Sequence, residues 1–244
     1  MKRKIIGHRG AAGLELENTA TSIRRALSLH VYGLEIDVRL TKDGKLVVCH
    51  DSDLSQIAND PKQVRNLTLR QLKKIPLIDG SEILSLAEAL KIIGDVPVIV
   101  ELKDNGTARP TLDILGKFPK AKVSIASFKL EELVLTRDLA PEIFLYALEN
   151  TKPFEVIHMA RILKLNGIGL NYWLLNPLTY WHARRSGLHI YVYTVNNKFR
   201  AKFLSWLYPD VAICTDHPEW FVNKRRKSAK KTLIKKVGRH ASHL

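Results

Sequence analysis

Residues 33–51 read GLEIDVRLTKDGKLVVCHD, and the reading of this stretch decides the fold. Leu34, Ile36 and Val38 alternate with Glu35 and Asp37, the period of a β-strand whose two faces differ. Two residues apart, the acids leave the strand on the same side. Asp43-Gly44 is a strong two-residue turn signal, and a second apolar run follows it and ends on His50-Asp51. Too few residues separate Asp37 from Leu46 for a helical crossover, so the second run returns antiparallel as an excursion from the strand. With Asp43 and Gly44 at the centre of the turn, Lys42 faces Lys45 and Asp37 falls opposite His50, with Cβ atoms ~5 Å apart. The hairpin is thus expected to deliver an imidazole beside two carboxylates.

Outward from this hairpin, short Val- and Ile-rich runs alternate with segments of helical period. The expected strands are Lys4–His8, Gly33–Leu40, Val96–Lys103, Lys122–Phe128, Ile143–Leu148, Gly167–Asn171, His189–Val195 and Val211–Thr215. Helices are expected near Glu17–His30, Leu84–Ile93, Arg109–Phe118, Leu130–Leu139, Pro153–Leu165, Pro177–Ser186 and Lys198–Leu207, with a last one from about His217. Ser85 and the Asn176-Pro177 pair supply helix starts. This alternation predicts an α/β fold of the closed (β/α)8 TIM-barrel type. The rival is an open doubly wound sheet, but no Gly-x-Gly-x-x-Gly turn follows the first strand. Ser52 to Ile83 is polar and turn-rich, so the excursion after strand two, about 38–83, is expected to run over one barrel mouth.

The barrel is expected to occupy residues 1–223 and a basic tail 224–244, where nine Lys and Arg stand with no acids. The whole chain carries a net charge of +15. Such a tail is expected to be flexible and solvated, or to touch an anionic membrane or nucleic acid weakly. No apolar run approaches the roughly 18 residues of a membrane span. Ile5-Ile6 leads straight into Gly7-His8-Arg9, too short for the apolar part of a signal peptide. The expected location is cytoplasmic, with a peripheral position at the membrane surface as its extension. Cys49 and Cys214 form no disulfide framework.

A barrel enzyme places its catalytic groups at the C-terminal ends of its strands. Here the strand bodies are apolar and the ends polar: His8-Arg9, Glu35 with Asp37, Glu101 with Lys103, Ser127-Phe128, Asn171, Thr194-Val195-Asn196, and Thr215-Asp216. Three carboxylates (Glu35, Asp37 and Glu101) converging in one mouth repel and hold protons unless a cation sits among them. Oxygen ligands without thiolates suit one divalent cation, Ca²⁺ or Mg²⁺. His8 and His50 beside them suggest a general acid and a general base. Arg9 and Lys103 add fixed positive charge, fit for phosphate. Ser127, Asn171 and Tyr193 are further candidate phosphate or substrate contacts.

These residues resemble the glycerophosphodiester phosphodiesterase family. The ordered series is His8-Arg9-Gly10, Glu17-Asn18-Thr19, Glu35-Ile36-Asp37-Val38, Thr41-Lys42-Asp43-Gly44, His50-Asp51, Glu101-Leu102-Lys103, Ser127-Phe128, Thr194-Val195-Asn196 and Thr215-Asp216-His217-Pro218. The resemblance spans about residues 4 to 222. It implies a (β/α)8 barrel that hydrolyses glycerophosphodiesters to glycerol 3-phosphate and an alcohol. It implies a Ca²⁺ or Mg²⁺ held by Glu35, Asp37 and Glu101, with His8 and His50 as the acid–base pair. In the scheme it implies, the substrate's adjacent hydroxyl attacks phosphorus and a cyclic phosphate is then opened by water. The pattern departs at Leu16, Gln56-Ile57 and Tyr193, which leaves the alcohol moiety open. Two alternatives remain: a lysophospholipase D acting on membrane lysophospholipids, with Trp173, Leu174 and Leu175 at the lipid, or a non-catalytic binder of anionic lipid or nucleic acid through the tail. No obligate protein partner is inferred.

Overall fold

The computed structural model describes residues 3–221, so the tail expected at 224–244 lies outside the described residues. Eight strands form the barrel: β1 (Ile5–Gly7), β2 (Gly33–Leu40), β3 (Val98–Leu102), β4 (Val123–Ser127), β5 (Phe144–Glu149), β6 (Gly167–Asn171), β7 (His189–Tyr193) and β8 (Ala212–Thr215). Each lies parallel to the next. The ring closes because β1 pairs both with β8, Ile5 beside Ile213, and with β2, Ile6 beside Gly33. Seven α-helices alternate with the strands: α1 (Ala20–Ser28), α2 (Leu86–Ile93), α3 (Ala108–Leu115), α4 (Leu130–Leu139), α5 (Pro153–Ile162), α6 (Pro177–Arg185) and α7 (Lys198–Leu207). After β8 the described chain makes a 3₁₀ turn, Pro218–Phe221, where a helix was expected.

The helix starts follow capping chemistry. Ser85 accepts from the Glu88 amide while the Glu88 side chain reaches back, a reciprocal cap, and Asn176 caps α6 ahead of Pro177. In α1 the expected start at Glu17 is three residues early. Thr19 is the cap, its side chain accepting from the Ser22 amide. Glu17 and Asn18 are thereby released for another purpose.

Even-numbered β2 residues (Leu34, Ile36, Val38) pack outward against the helices in the main core, and the odd ones point into the barrel. The lower interior is filled by Ile6, Ile99, Ala126, Leu148, Tyr191, Ala212 and Cys214, with Tyr146 beside them. Gly167 and Gly169 on β6 make this filling possible. A Cβ on Gly167 would stand 2.6 Å from the Tyr146 ring, and one on Gly169 2.6 Å from the Tyr191 ring. Large side chains from β5 and β7 thus occupy the space that β6 leaves empty, the large–small complementarity of a filled barrel.

The excursion departs from expectation in its register. The returning strand, Leu46–Val48, runs antiparallel to β2 with Val38 beside Val48 and Leu40 beside Leu46. Thr41 faces Lys45, so the loop has three residues, Lys42 to Gly44, rather than two. Asp43 sets this turn: its carboxylate accepts from the Thr41 hydroxyl at 2.7 Å and from the Leu69 amide at 2.9 Å. Gly44 takes the left-handed conformation (φ +69°) that closes a three-residue hairpin. The partner of Asp37 is consequently Cys49, whose amide donates to the Asp37 carbonyl, and not His50. Beyond the hairpin, Val47, Cys49, Leu54, Ile57, Val64, Leu72, Leu77 and Ile83 form a small core of their own.

Candidate active site

Parallel register assembles the carboxylates. Asp37 on β2 lies directly beside Glu101 on β3, and Glu35 stands two residues earlier on the same face. One oxygen from each of Glu35, Asp37 and Glu101 lies within 4.8 Å of the others. Glu35 and Asp37 are buried, and Glu35 Oε1 has no hydrogen-bond partner. A buried, unpartnered carboxylate oxygen is costly in water-free surroundings. Burial, then repulsion by Asp37, pushes the Glu35 carboxyl up to about 8. Burial and Asp37 raise Glu101 as well, whereas the Lys103 and Arg9 cations hold Asp37 below its usual range despite burial. An oxygen-only cluster with an orphaned lone pair and two proton-hungry acids fits a hard divalent cation.

The cations are held by the same acids. Lys103 Nζ lies 2.8 Å from Glu101 and 3.6 Å from Asp37, and Arg9 Nε lies 3.3 Å from Asp37. Arg9 reaches Glu17 at 2.7 Å with its terminal nitrogen. Asn18 donates to Asp37 Oδ2 at 2.9 Å, and the Arg9 amide donates to Glu35 Oε2 at 3.0 Å. The turn after β1 depends on Gly10, at φ +87°, because a Cβ there would stand 2.6 Å from the Ser22 backbone. Residues 8–10 and 17–19 therefore form one unit: the glycine folds the turn, Glu17 and Asn18 hold Arg9 and Asp37, and Thr19 starts the helix.

Each histidine has its own carboxylate. His8 Nδ1 is 2.6 Å from Asp216 Oδ1, and His8 Nε2 lies 3.8 Å from Glu35. Asn196 donates to the other Asp216 oxygen and accepts from the Asp216 amide. Burial works against a charged His8, but the Asp216 bond and Glu35 outweigh it and raise its pKa. His50 Nδ1 is 2.7 Å from Asp51, and the Arg39 side chain, paired with Asp104, grips the His50 carbonyl at 2.8 Å. His50 is lowered, first by burial and then by the Lys103 and Arg9 charges, against the pull of Asp37. His50 thus stands beyond the end of the hairpin ladder, its backbone gripped by the Arg39 clamp, and not directly opposite Asp37.

The remaining candidates diverge. Ser127 is fully buried, and its hydroxyl donates to the Leu102 carbonyl and accepts from the Lys129 amide. Asn171 accepts from the Trp173 amide at 3.2 Å and caps the 3₁₀ turn Tyr172–Leu174. The Tyr193 hydroxyl donates toward the Glu149 carbonyl at 3.2 Å, and its ring packs edge-on against Phe128. Leu175 belongs to the main core, not to an apolar rim. Sequence reasoning assigned no role to Asp216, Asn18, Glu17, Asp51 or Arg39. The signal available for the first four was their membership of the quoted motifs; Arg39 carried none.

Residues 8–220 match the Glycerophosphoryl diester phosphodiesterase family. A glycerophosphodiester phosphodiesterase of Caldanaerobacter subterraneus is 30% identical over 93% of this chain and 99% of its own length. One from Bacillus subtilis is 28% identical over 88% of this chain and 84% of its own. A phosphodiesterase of Oleispira antarctica, solved with the product sn-glycerol-3-phosphate, shares the fold at a TM-score of 0.84 and 24% identity, covering 89% of this chain and 94% of that one. A glycerophosphodiester phosphodiesterase structure from Parabacteroides distasonis gives 0.78 at 26% identity, over 90% and 95% of the two chains.

Proposed function

The chain belongs to the glycerophosphoryl diester phosphodiesterase family, and from that premise we propose that it cleaves glycerophosphodiesters to glycerol 3-phosphate and an alcohol by two-histidine acid–base catalysis at the β-strand C-terminal mouth. The observation that carries this reading is the meeting of Glu35, Asp37 and Glu101 within 4.8 Å, with His8 at their edge.

Glu35, Asp37 and Glu101 would hold a Ca²⁺ or Mg²⁺ ion. Such a cation, when bound, polarises a phosphoryl oxygen and acidifies a nearby hydroxyl. Arg9 and Lys103, fixed by the acids around them, orient the phosphate and balance charge developing on it. One imidazole takes the proton of the glycerol hydroxyl next to the phosphate as that oxygen attacks phosphorus, and the other gives its proton to the departing alcohol. Water then opens the cyclic phosphate with the two roles reversed. Asp216 and Asp51, each bonded to a histidine Nδ1, hold the rings so that Nε2 is the working nitrogen. The burial of Glu35 and Asp37 keeps water from competing for these groups.

The test is hydrolysis of glycerophosphocholine and glycerophosphoethanolamine, with and without EDTA. Release of glycerol 3-phosphate that EDTA abolishes and added Ca²⁺ or Mg²⁺ restores is expected. Undiminished turnover in EDTA contradicts the proposal.

A further inference from the structure

Helix α7, KFRAKFLSWL, presents an unusual outer face. Its inward side is ordinary, with Ala201, Leu204 and Ser205 buried against the barrel. At 100° per residue, Phe199, Phe203 and Trp206 fall within about 60° of one another and on the opposite side of the helix. They are 84%, 55% and 70% exposed. Phe203 and Trp206 stand side by side, their ring centroids 6.1 Å apart and their planes tilted by 38°. Single exposed apolar residues are unremarkable, but a contiguous aromatic stripe marks an interaction surface.

The surroundings state the partner's chemistry. Lys198, Arg200 and Lys202 flank the stripe, and α7 contains no acid. At the mouth end, the Arg200 guanidinium lies 3.7 Å above the ring of Trp173, itself 66% exposed, which extends the aromatic surface to the rim. The neighbouring helix α6 repeats the pattern: Leu178 and Trp181 are exposed, Arg184 and Arg185 follow, and acids are again absent. By contrast α4, across the barrel, carries Glu131, Glu132 and Asp138. Aromatic rings between long cationic side chains suit the boundary of a bilayer, where rings enter the headgroup region and ammonium and guanidinium groups reach phosphates. Elsewhere in the sequence, residues 224–244 carry nine further Lys and Arg and no acids, of the same sign.

We propose that the outer face of α7, with Trp173 at its mouth end, docks the protein on an anionic phospholipid surface. The docking surface stands apart from the catalytic groups, so it does not depend on the reaction assigned above. Helix α7 runs away from the C-terminal end of β7, so its first turn and Trp173 lie on the mouth side. Docking through this flank holds the edge of the mouth close to the lipid, where diesters derived from phospholipids arise.

The test uses the full chain, co-sedimented with vesicles of phosphatidylcholine alone or with about one-third phosphatidylglycerol. The wild-type chain is expected to bind the mixed vesicles and not the neutral ones. The triple variant Phe199→Ser, Phe203→Ser, Trp206→Ser keeps the tail and should bind at least about tenfold more weakly, while glycerophosphocholine hydrolysis is unchanged. The control Val134→Ser, Leu139→Ser on α4 should bind like wild type. Equal vesicle binding by the triple variant overturns the proposal and assigns any retention to other charges. Light scattering that finds a wild-type dimer and a monomeric triple variant also overturns it, since a second copy then covers the stripe.

Discussion

The two ends of the barrel interior are built from the same strands yet obey opposite rules. In the lower layer Ile6, Ile99, Tyr191 and Cys214 belong to one buried apolar cluster, and Gly167 and Gly169 leave space for two tyrosines. Two residues further along, the same strands present His8, Glu101, Tyr193 and Asp216, and β2 adds Glu35 and Asp37. The lower layer is apolar: its side chains pack on one another, and Ile6, Ile99 and Ala212 border a cavity of about 220 Å³ at the opposite end of the barrel from the mouth. The upper layer is incomplete in its own terms, with a buried carboxylate oxygen unpartnered and two acids driven toward protonation. Close packing alone does not tolerate such an environment, and the cation proposed above would complete it.

The largest expected effect that bears on this contrast is on turnover. His8→Ala and His50→Ala each leave the lower layer intact and are expected to reduce glycerophosphodiester hydrolysis by about 10²- to 10⁴-fold, with unchanged circular dichroism and melting temperature near that of wild type. Full activity in either variant breaks the two-histidine account. A change in the lower layer should do the reverse. Gly169→Ala forces a methyl to within 2.6 Å of Leu148 and Tyr191 and is expected to cost about 1–3 kcal/mol of stability, read as a lower midpoint in urea. Its cation affinity should stay as in wild type if the layers are energetically separate.

The smallest effect is one of pH. Glu35 is raised from 4.5 to about 8 by burial and by Asp37. A carboxyl raised on folding contributes stability below its unfolded pKa and loses it as pH rises through the folded value. The EDTA-treated protein should therefore lose melting temperature as pH rises from about 5 to about 8, and saturating Ca²⁺ should remove that slope. An identical slope with and without the ion would separate Glu35 from the cation site.

Much of this arrangement was legible in the sequence, and the exceptions are instructive. Alternating apolar runs set out all eight strands, because burial on both faces demands Val and Ile whatever the tertiary detail. The acids at 35, 37 and 101 stood out because charge inside an apolar strand has few other uses. The hairpin register did not follow from Asp43-Gly44 alone. The Asp43 carboxylate bonds Thr41 and the distant Leu69 amide, and that long-range contact selects the three-residue loop. The arginine clamp on the His50 backbone was hidden for the same reason: Arg39 and Asp104, 65 residues apart in sequence, join only in the folded barrel. The backbone bonds of Ser127 were not legible, because a strand-end serine in a motif has the same letters whatever its hydroxyl meets.

The central claim is that the upper layer is completed by one divalent cation on Glu35, Asp37 and Glu101. The most direct measurement is calorimetric titration of the EDTA-treated protein with Ca²⁺ and Mg²⁺, in buffers of different ionisation heat near pH 7. The account predicts one ion per chain, proton release on binding from the raised Glu35, and loss of binding in Glu35→Gln with the fold intact. Binding that is undiminished in Glu35→Gln, or no binding by a wild-type chain that still turns over substrate, would contradict it.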